Sequence, residues 1–204
     1  MEHKYTIKEI FYSIQGEGYY SGVPVIFVRF SGCNMWNGLE KDKGKSPCYF
    51  CDTDFRGGSK MTVDEIYSHC NDLWPKTKVR PRVVFTGGEP ALQVNAELLE
   101  KFKHWSCTIE TNGSIKLNVK PTQVIWKTVS PKTYEIEIEN PSEIKLLFGN
   151  GIDPAVIYSK FKHCCKYFYL QPIDNIVTKE IIDYVLQNDE WNLSLQLHKI
   201  IGVD

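Results

Sequence analysis

Arg-Val-Val-Phe-Thr at positions 82–86, which runs directly into two glycines, is the stretch of sequence that decides the fold. Its β-branched and aromatic residues predict a short buried strand. Asn95 is a good cap for a helix that we expect to reach about Trp105, and Cys-Thr-Ile-Glu-Thr (107–111) predicts the next strand. A strand, a helix and a strand in this order indicate a parallel pair with the helix packed outside.

The same alternation extends in both directions along the chain. Further strands are predicted at 23–30, 123–127, 143–148, 167–170 and 193–197, and further helices at 62–74, from Asp153-Pro154, and from Thr178 to about Gln187. The 204 residues fall short of a complete eight-unit barrel. We therefore predict an α/β fold that forms a partial, incomplete TIM-like barrel with mainly parallel strands and outer helices. An open doubly wound sheet is the alternative. We expect one domain over 1–204, with an insertion at about 34–47.

The composition limits the classes of function. A formal net charge of −1 predicts no general affinity for nucleic acid or for an anionic membrane surface. No apolar run reaches the ~18 residues of a membrane span, and the first residues carry no apolar signal core, so a cytoplasmic location is expected. Seven cysteines, an odd number, suit reduced thiols better than a disulfide framework.

Three cysteines lie close together and form a candidate metal or cluster site. Cys33, Cys48 and Cys51 fall in S-G-C-N…S-P-C-Y-F-C-D-T, and the last two make a C-x-x-C pair. Structural zinc sites usually have four ligands, and Fe–S clusters are commonly held by four thiolates. No obvious fourth ligand follows Cys51, so one position is open for another molecule, with zinc as the alternative occupant. We expect the other four cysteines, at 70, 107, 164 and 165, to lie in the core.

Polar clusters end several predicted strands. They are Thr86-Gly87-Gly88-Glu89, Glu110-Thr111-Asn112-Gly113, Ser130-Pro131-Lys132 and Gln171-Pro172-Ile173-Asp174. The carboxyl ends of parallel strands meet at one rim, where α/β folds bind ligands, so these clusters are expected to line one site. A bare Gly-Gly-Glu-Pro is also consistent with an ordinary turn.

A further polar stretch, Ser13-Ile14-Gln15-Gly16-Glu17-Gly18, precedes the strand that leads to the first cysteine. Its glutamine and glutamate can hydrogen-bond a polar heterocycle, and the glycines let that ring lie close; a hairpin turn is the alternative. Arg29 lies inside the apolar strand, where an arginine is rarely buried without a partner. We expect its side chain to face the cavity and its guanidinium to bind a carboxylate through two nitrogens. An arginine at a strand edge that faces solvent is the alternative.

Together these pieces resemble the radical S-adenosylmethionine (SAM) superfamily, and specifically the 7-carboxy-7-deazaguanine synthase (QueE) family. The matching pieces, in family order, are S-I-Q-G-E-G (13–18), V-R-F-S-G-C-N (28–34), C-Y-F-C-D-T (48–53), F-T-G-G-E-P (85–90), E-T-N-G (110–113), S-P-K (130–132) and Q-P-I-D (171–174). Each piece alone is weak, but the ordered set is highly specific.

The resemblance implies a [4Fe–4S] cluster on Cys33, Cys48 and Cys51, with SAM chelated to the fourth iron. Reductive cleavage of SAM would give a 5′-deoxyadenosyl radical that takes a hydrogen from 6-carboxy-5,6,7,8-tetrahydropterin. Ring contraction with loss of ammonia would then give 7-carboxy-7-deazaguanine, for queuosine or another 7-deazapurine. The resemblance also implies Mg²⁺, an electron donor such as flavodoxin, and a homodimer.

The resemblance also assigns roles by position, with no catalytic residue beyond the cluster and SAM. Thr53 would ligate Mg²⁺. SAM would be bound by Phe50, Cys51, Asp52, Gly88, Glu110, Ser130, Pro131, Lys132, Gln171, Pro172, Ile173 and Asp174. The pterin would be bound by Ile14, Gln15, Gly16, Glu17, Arg29, Thr86 and Asp204.

Two features depart from the family pattern. The cysteine spacing is C-x14-C-x2-C, whereas most of the superfamily has C-x3-C-x2-C; such an insertion is known among QueE-like sequences. The chain ends in Gly202-Val203-Asp204, whereas related chains often end in proline. Two other functions stay open: a small radical SAM glycyl-radical activating enzyme, which would act on a protein, and a zinc-binding module.

Overall fold

The computed structural model describes residues 2–75, 77–119 and 126–203. The strands are β1 (Tyr5–Ile14), β2 (Pro24–Phe30), β3 (Ser59–Met61), β4 (Arg82–Gly87), β5 (Ser106–Thr111), β6 (Trp126–Val129), β7 (Glu143–Phe148), β8 (Tyr167–Pro172) and β9 (Trp191–Leu193). The helices are α1 (Glu40–Lys43), α2 (Val63–Leu73), α3 (Ala96–Lys101), α4 (Pro154–Phe161), α5 (Lys179–Gln187) and α6 (Leu197–Ile201).

The nine strands form one sheet in the order β3-β1-β2-β4-β5-β6-β7-β8-β9. From β2 to β9 every neighbouring pair is parallel, whereas β1 is antiparallel to both β2 and β3. The sheet is not closed, since β3 and β9 are its two edges. This confirms the predicted partial barrel with mainly parallel strands.

Two apolar clusters hold the outer helices against the sheet. The first packs residues of β1, β2, β4 and β5 against α2 and α3, with Phe30, Ile66 and Leu98 fully buried. The second packs β7 and β8 against α4 and α5, with Ile144, Ile157 and Ile181 fully buried. Helices on one side of the sheet leave the other side free for polar groups.

The predicted helix starts at Thr62, Asn95 and Asp153 are confirmed. Thr62 and Glu65 form the capping box, in which each side chain bonds the other residue's backbone N–H. The Asn95 side chain accepts a hydrogen bond from the Leu98 N–H, and that of Asp153 accepts one from the Ala155 N–H.

Three predicted boundaries differ from the structure. The helix after Asn95 ends at Lys101 rather than near Trp105. The strand predicted at 123–127 is Trp126–Val129, and 123–125 lie outside the described residues. The strand predicted at 193–197 is wrong: β9 ends at Leu193, and Leu197 begins α6.

Strand β1 was not predicted, because a β-bulge interrupts its pattern. Ile7 lies opposite Phe30, but Glu9 rather than Lys8 lies opposite Arg29. Tyr5 and Ile7 face the helix side before the bulge, and Ile10 packs on the same cluster after it. The extra residue thus shifts the apolar positions from odd to even numbers and hides the alternation that predicts a strand.

The remaining expectations concern the cysteines, the insertion and membranes. Cys70, Cys107 and Cys165 are buried as predicted, but Cys164 is exposed. The 34–47 stretch contains the one-turn helix α1. Within the described part of the chain, each helix is too short or too polar to cross a bilayer.

Candidate functional site

Two adjoining cavities open at the carboxyl ends of the parallel strands. The first, of about 190 Å³, is lined by Cys33, Cys48 and Cys51 and is called the thiol cavity below. The second, of about 410 Å³, is lined by Arg29 and by Ile14 to Glu17 and is called the arginine cavity. Both are lined by Glu17, Asp52, Thr53, Thr86, Glu110 and Gln196. This shared wall makes them two parts of one site.

The thiol cavity brings together three free cysteines from two parts of the chain. Cys33 follows β2, while Cys48 and Cys51 lie beyond α1 and are joined by a turn in which the Cys51 N–H donates to the Cys48 carbonyl at 2.9 Å. The Met35 N–H donates to Cys33 Sγ at 3.4 Å. Backbone N–H donors of this kind stabilise negative charge on a ligating sulfur.

The thiols suit a cluster better than a single ion. In the ranges 2–75, 77–119 and 126–203, no three His, Cys, Asp or Glu side chains converge closely enough to hold one metal ion. An iron–sulfur cluster is wider than one ion, so its ligands lie farther apart. Three thiols occupy three corners of a four-iron cluster, which leaves the fourth corner for a small molecule.

Burial favours the protonated form of two of these thiols, Cys33 and Cys48, because it raises their pKa values. Desolvation by burial raises the pKa of Cys33, and it raises the pKa of Cys48 to about 11, although Lys132 opposes that shift. A thiolate is the form that ligates a metal, so binding must release these protons. The positive charge of a bound metal offsets the free-energy cost of holding thiolates in this buried position.

Lys132 is one of two lysines that line the thiol cavity. Its ammonium lies 5.5 Å from the centre of the Phe50 ring, and burial lowers its pKa, opposed by the Cys48 and Cys51 thiols. Cation and aromatic ring come from different elements, the turn after β6 and the cysteine loop. Lys132 can therefore orient an anionic group of a ligand against the Phe50 face.

The Gly-Gly-Glu-Pro turn has a structural reason for its second glycine, Gly88, and for Glu89. A Cβ on Gly88 would lie 2.0 Å from the carbonyl oxygen of Gly32, so only glycine lets this turn pass the loop before Cys33. Glu89 is fully buried and accepts hydrogen bonds from Thr111 Oγ1 and from the Asn112 N–H, both at 2.7 Å. The turn thus ties the ends of β4 and β5 together beside the thiols.

Glu17 lies at the centre of the shared wall. Its carboxylate pairs with Lys145 of β7 and accepts from Gln171 Nε2 and Gln196 Nε2, each at 2.9 Å. Burial would raise its pKa, but Lys145 and the two amides outweigh burial and lower the pKa to about 2. Burial likewise opposes the charge of Lys145, yet Glu17 and Glu110 raise its pKa. Both groups are charged at neutral pH.

Glu110 forms the second acidic part of this wall. Its two carboxylate oxygens accept from Gln15 Nε2 at 2.8 Å and from Thr86 Oγ1 at 3.2 Å. The three side chains come from β4, β5 and the loop after β1. Glu110 is therefore fixed at the boundary between the two cavities, and a ligand in either one can reach it.

The C-terminal segment covers the arginine cavity. The Leu197 N–H donates to the Gly16 carbonyl at 2.8 Å, and Lys199 pairs with Asp52 of the cysteine loop. Burial would raise the pKa of Asp52, but Lys199 outweighs it and lowers that pKa. A Cβ on Gly16 would lie 1.9 Å from Nδ1 of His198, so this glycine is required for the close approach.

Almost all the site residues predicted from sequence lie on these two cavities. The thiol cavity contains Phe50, Cys51, Asp52, Gly88, Glu110, Ser130, Lys132, Gln171, Pro172, Ile173 and Asp174, and the arginine cavity contains Ile14, Gln15, Gly16, Glu17, Arg29 and Thr86. Thr53 lies on both, whereas Pro131 is buried beside them and lines neither. Asp204 lies outside the described residues.

Several wall residues were missed by the sequence analysis. Lys145 was hidden inside an apolar strand, and Gln196 and Lys199 lay in or beside a stretch that was predicted as a strand. The charged residue within E-I-K-L-L-F was a usable signal, because a buried lysine requires a partner. His198, to which no role was assigned, lines the arginine cavity.

Comparisons with known proteins give one consistent result. The chain is 35% identical over 212 residues to a 7-carboxy-7-deazaguanine synthase of Burkholderia multivorans, covering 98% of this chain and 99% of that protein. It is 37% identical over 201 residues to one of Bacteroides thetaiotaomicron, covering 97% of each. No protein-family model matches the chain.

A solved structure agrees with the sequence relatives. The crystal structure of QueE from Escherichia coli superposes with a TM-score of 0.68 at 27% identity, covering 96% of this chain and 95% of that one. The two chains share one fold over nearly the whole of each. On these grounds the chain belongs to the 7-carboxy-7-deazaguanine synthase family.

Proposed function

We propose that this chain converts 6-carboxy-5,6,7,8-tetrahydropterin to 7-carboxy-7-deazaguanine with loss of ammonia, as a carbon–nitrogen lyase of queuosine or 7-deazapurine biosynthesis. The observation that carries the proposal is the pair of adjoining cavities. One is lined by three thiols and the other by Arg29, and Glu17 and Glu110 lie on both. A radical reaction needs this arrangement, because its source and its target must lie side by side.

The family is a radical SAM family, and its members use a [4Fe–4S] cluster and SAM. When bound, these cofactors supply the one-electron cleavage that generates a carbon radical able to take a hydrogen atom from the substrate. We assign the cluster to Cys33, Cys48 and Cys51, the three cysteines that line the thiol cavity among the residues the structure describes. The protein's own task is to hold and orient both molecules.

SAM is assigned to the thiol cavity. The Phe50 ring and the Lys132 ammonium face each other there, and Gly88 and the Gln171–Asp174 stretch complete its wall. Ser130 follows β6 on the same wall, and we keep the buried Pro131 in the assignment as the residue between Ser130 and Lys132. Asp52 is paired with Lys199 and is held ionised near the sulfonium, whose positive charge it would complement.

Mg²⁺ is assigned to Thr53. This residue lines both cavities and follows Cys51-Asp52 directly, so an ion on its hydroxyl would lie between the two bound molecules. Mg²⁺ takes few protein ligands and keeps several waters, so a single threonine is consistent with the coordination it prefers. Its charge would stabilise a rearranging intermediate.

The pterin is assigned to the arginine cavity. Gln15 and Glu17 offer amide and carboxylate groups to a polar heterocycle, and Arg29 offers its guanidinium to the carboxylate. Thr86 and Glu110 place hydrogen-bonding oxygens at the side that faces the thiol cavity. We extend the assignment to Asp204, at the end of the segment that covers this cavity.

Four further expectations belong to the proposal. We propose a single domain with an insertion at about 34–47, a homodimer, a cytoplasmic location, and an electron donor such as flavodoxin. An acidic carrier is supported by the exposed Arg56 beside the cysteine loop, since cations attract such a partner.

A product assay tests the function. Protein reconstituted without oxygen is mixed with reductant, SAM, Mg²⁺ and the carboxytetrahydropterin, and the product is identified by mass and absorbance. The expected product is 7-carboxy-7-deazaguanine with one ammonia released. If the cluster is intact, SAM is cleaved and no deazaguanine forms, the substrate assignment is wrong.

Replacing one cysteine tests the cluster assignment. Cys48→Ala is expected to lose most of the bound iron and sulfide and all activity, because two thiolates cannot hold a four-iron cluster open at one corner. The matched control is Cys164→Ser, whose thiol is exposed and away from both cavities. Iron and sulfide are measured by chemical analysis; retention of both in Cys48→Ala would remove the trio from the site.

A further inference from the structure

The bulge in β1 decides which residue faces Arg29. Ile7 lies opposite Phe30, so in a regular antiparallel pair without a bulge Lys8 would lie opposite Arg29. Two cations would then lie directly across from each other, which is destabilising. The extra residue at Lys8 moves Glu9 into that position instead. Bulges next to active sites re-aim side chains in this way. Lys8 turns aside and donates to Asp54 Oδ2 at 2.6 Å and to the Arg56 carbonyl at 3.0 Å.

Glu9 holds Arg29 by one particular nitrogen. Arg29 Nε donates to Glu9 Oε1 at 2.6 Å, with the side chains 23% and 48% exposed. Within 2–75, 77–119 and 126–203, Glu9 is the only hydrogen-bond acceptor found for the guanidinium. The two terminal nitrogens therefore stay available, and their parallel N–H groups match the geometry of a second carboxylate.

An aromatic pair, Phe11 and Phe27, lies beside the Arg29 guanidinium. Phe11, two residues after Glu9 on the same face of β1, lies with its ring centre 5.7 Å from Arg29 Cζ. Phe11 stacks at 5.0 Å on Phe27, which is its cross-strand partner. Glu9, Phe11, Phe27 and Arg29 thus form a four-residue patch on the wall of the arginine cavity.

We propose that Glu9 is a positioning residue for Arg29, fixing its guanidinium edge-on so that the terminal nitrogens take the carboxylate of the substrate. The inference rests on the proposed function, because it presumes that the ligand carries a carboxylate. Glu9 contacts Nε and not the substrate, so it acts through Arg29. Phe11 limits tilting of the same plane. The selectivity for a carboxylated pterin then comes from β1 and the bulge as well as from Arg29.

The test compares ligands with and without the carboxylate. Glu9→Ala and Glu9→Gln are prepared without oxygen, with wild type and the matched control Glu139→Gln, which removes a charge from an exposed ion pair with Lys116. KM and kcat are measured for the carboxytetrahydropterin. Dissociation constants are measured for it and for tetrahydropterin without the carboxylate. Thermal melts verify that the variants fold.

In Glu9→Ala we expect KM to rise about tenfold with kcat within about twofold of wild type, as for loss of a hydrogen bond to a charged group. Glu9→Gln keeps the acceptor oxygen, and its KM should rise by about threefold. Binding of the ligand without carboxylate should not change. Glu139→Gln should behave as wild type.

Three outcomes would overturn the inference. An unchanged KM in Glu9→Ala would show that Arg29 needs no support. A lower KM would show that Glu9 competes with the substrate for Arg29. Equal loss of affinity for both ligands would show a general structural defect. Failure of wild type to turn over or bind the pterin would instead remove the proposed function, so the two failures are distinguishable.

Discussion

The ion pair between Glu17 and Lys145 is the strongest electrostatic feature at the residue scale. The side chains are 14% and 9% exposed, and the lysine lies on β7, where Glu143 is the only other charged residue. A buried ion pair offsets its own desolvation only when its remaining hydrogen-bonding positions are filled. Gln171 and Gln196 fill those of Glu17. The pair therefore fixes the loop after β1 inside the barrel and keeps the Glu17 carboxylate ionised at neutral pH.

This pair predicts an acid-dependent stability. The pKa of Glu17 is lowered from its ordinary value of 4.5 to about 2, so the folded state favours the carboxylate. The resulting stabilisation, at most about 3 kcal/mol, is fully present above pH ~4.5 and is lost as the pH falls toward ~2. We expect Glu17→Gln to be less stable than wild type at pH 7, because Lys145 loses its partner, and to lose less stability than wild type between pH 5 and pH 2.5.

Unfolding in urea at several pH values measures both curves. Glu139→Gln, in an exposed pair, is the control and should follow wild type. Parallel curves for Glu17→Gln and wild type over this range would mean that Glu17 is not the group responsible.

At the scale of elements, the sequence predicted those whose signals are local. The strand at 82–86 and the capping box at Thr62 each depend on a few adjacent residues, and both are found in the structure. Strand β1 was not predicted, because its alternation of apolar and polar residues changes phase at Lys8. The 193–197 stretch alternates apolar and polar residues, yet Gln196 leaves the sheet to bond Glu17 and Asn175. No local pattern encodes that tertiary contact.

The prediction at the scale of elements concerns the contact between Gly16 and the helix α6. Gly16→Ala would place a methyl group 1.9 Å from His198 Nδ1 and 2.9 Å from its backbone nitrogen, so α6 must move away. We expect KM for the pterin to rise by about tenfold or more, since the cover of the arginine cavity is displaced. The free energy of unfolding should fall by only about 1–2 kcal/mol, because α6 buries none of its residues fully.

Gly22→Ala is the matched control for Gly16→Ala, because a Cβ there meets nothing within 4 Å, although its positive φ of 88° adds local strain. Steady-state kinetics and limited proteolysis near α6 are the measurements. Unaltered KM and unaltered cleavage in Gly16→Ala would mean that the segment does not depend on this contact.

Over the whole molecule, the sequence predicted the residues that line the site better than the boundaries of the strands and helices. The ordered motifs located the thiols and most of the cavity walls, since five of the seven motifs end a strand of the parallel part of the sheet and these strand ends share one rim. Lys145, Gln196 and Glu9 could not be located in this way. Their roles come from pairing across the barrel and from strand register, which depend on residues far away in sequence.

The cysteine loop predicts how cofactor loading affects the whole protein. Cys33 follows β2, while Cys48 and Cys51 lie before β3, so a bound cluster cross-links two segments of the same half. A group that binds only the folded state stabilises it by mass action. We expect removal of the cluster with a chelator to lower Tm by about 5 °C or more. Calorimetry without oxygen measures this; an unchanged Tm would mean that the loop is rigid without its metal.

Glu17 is bonded to Lys145, Gln171 and Gln196, at separations of 128, 154 and 179 residues along the chain. During synthesis the last partner, Gln196, therefore leaves the ribosome long after the three cysteines that line the thiol cavity. Until then the nascent chain has no finished compartment for a reactive radical. A polypeptide that carries the three thiols but not yet Gln196 lacks part of the wall that the two cavities share, so we expect it to enclose a substrate incompletely.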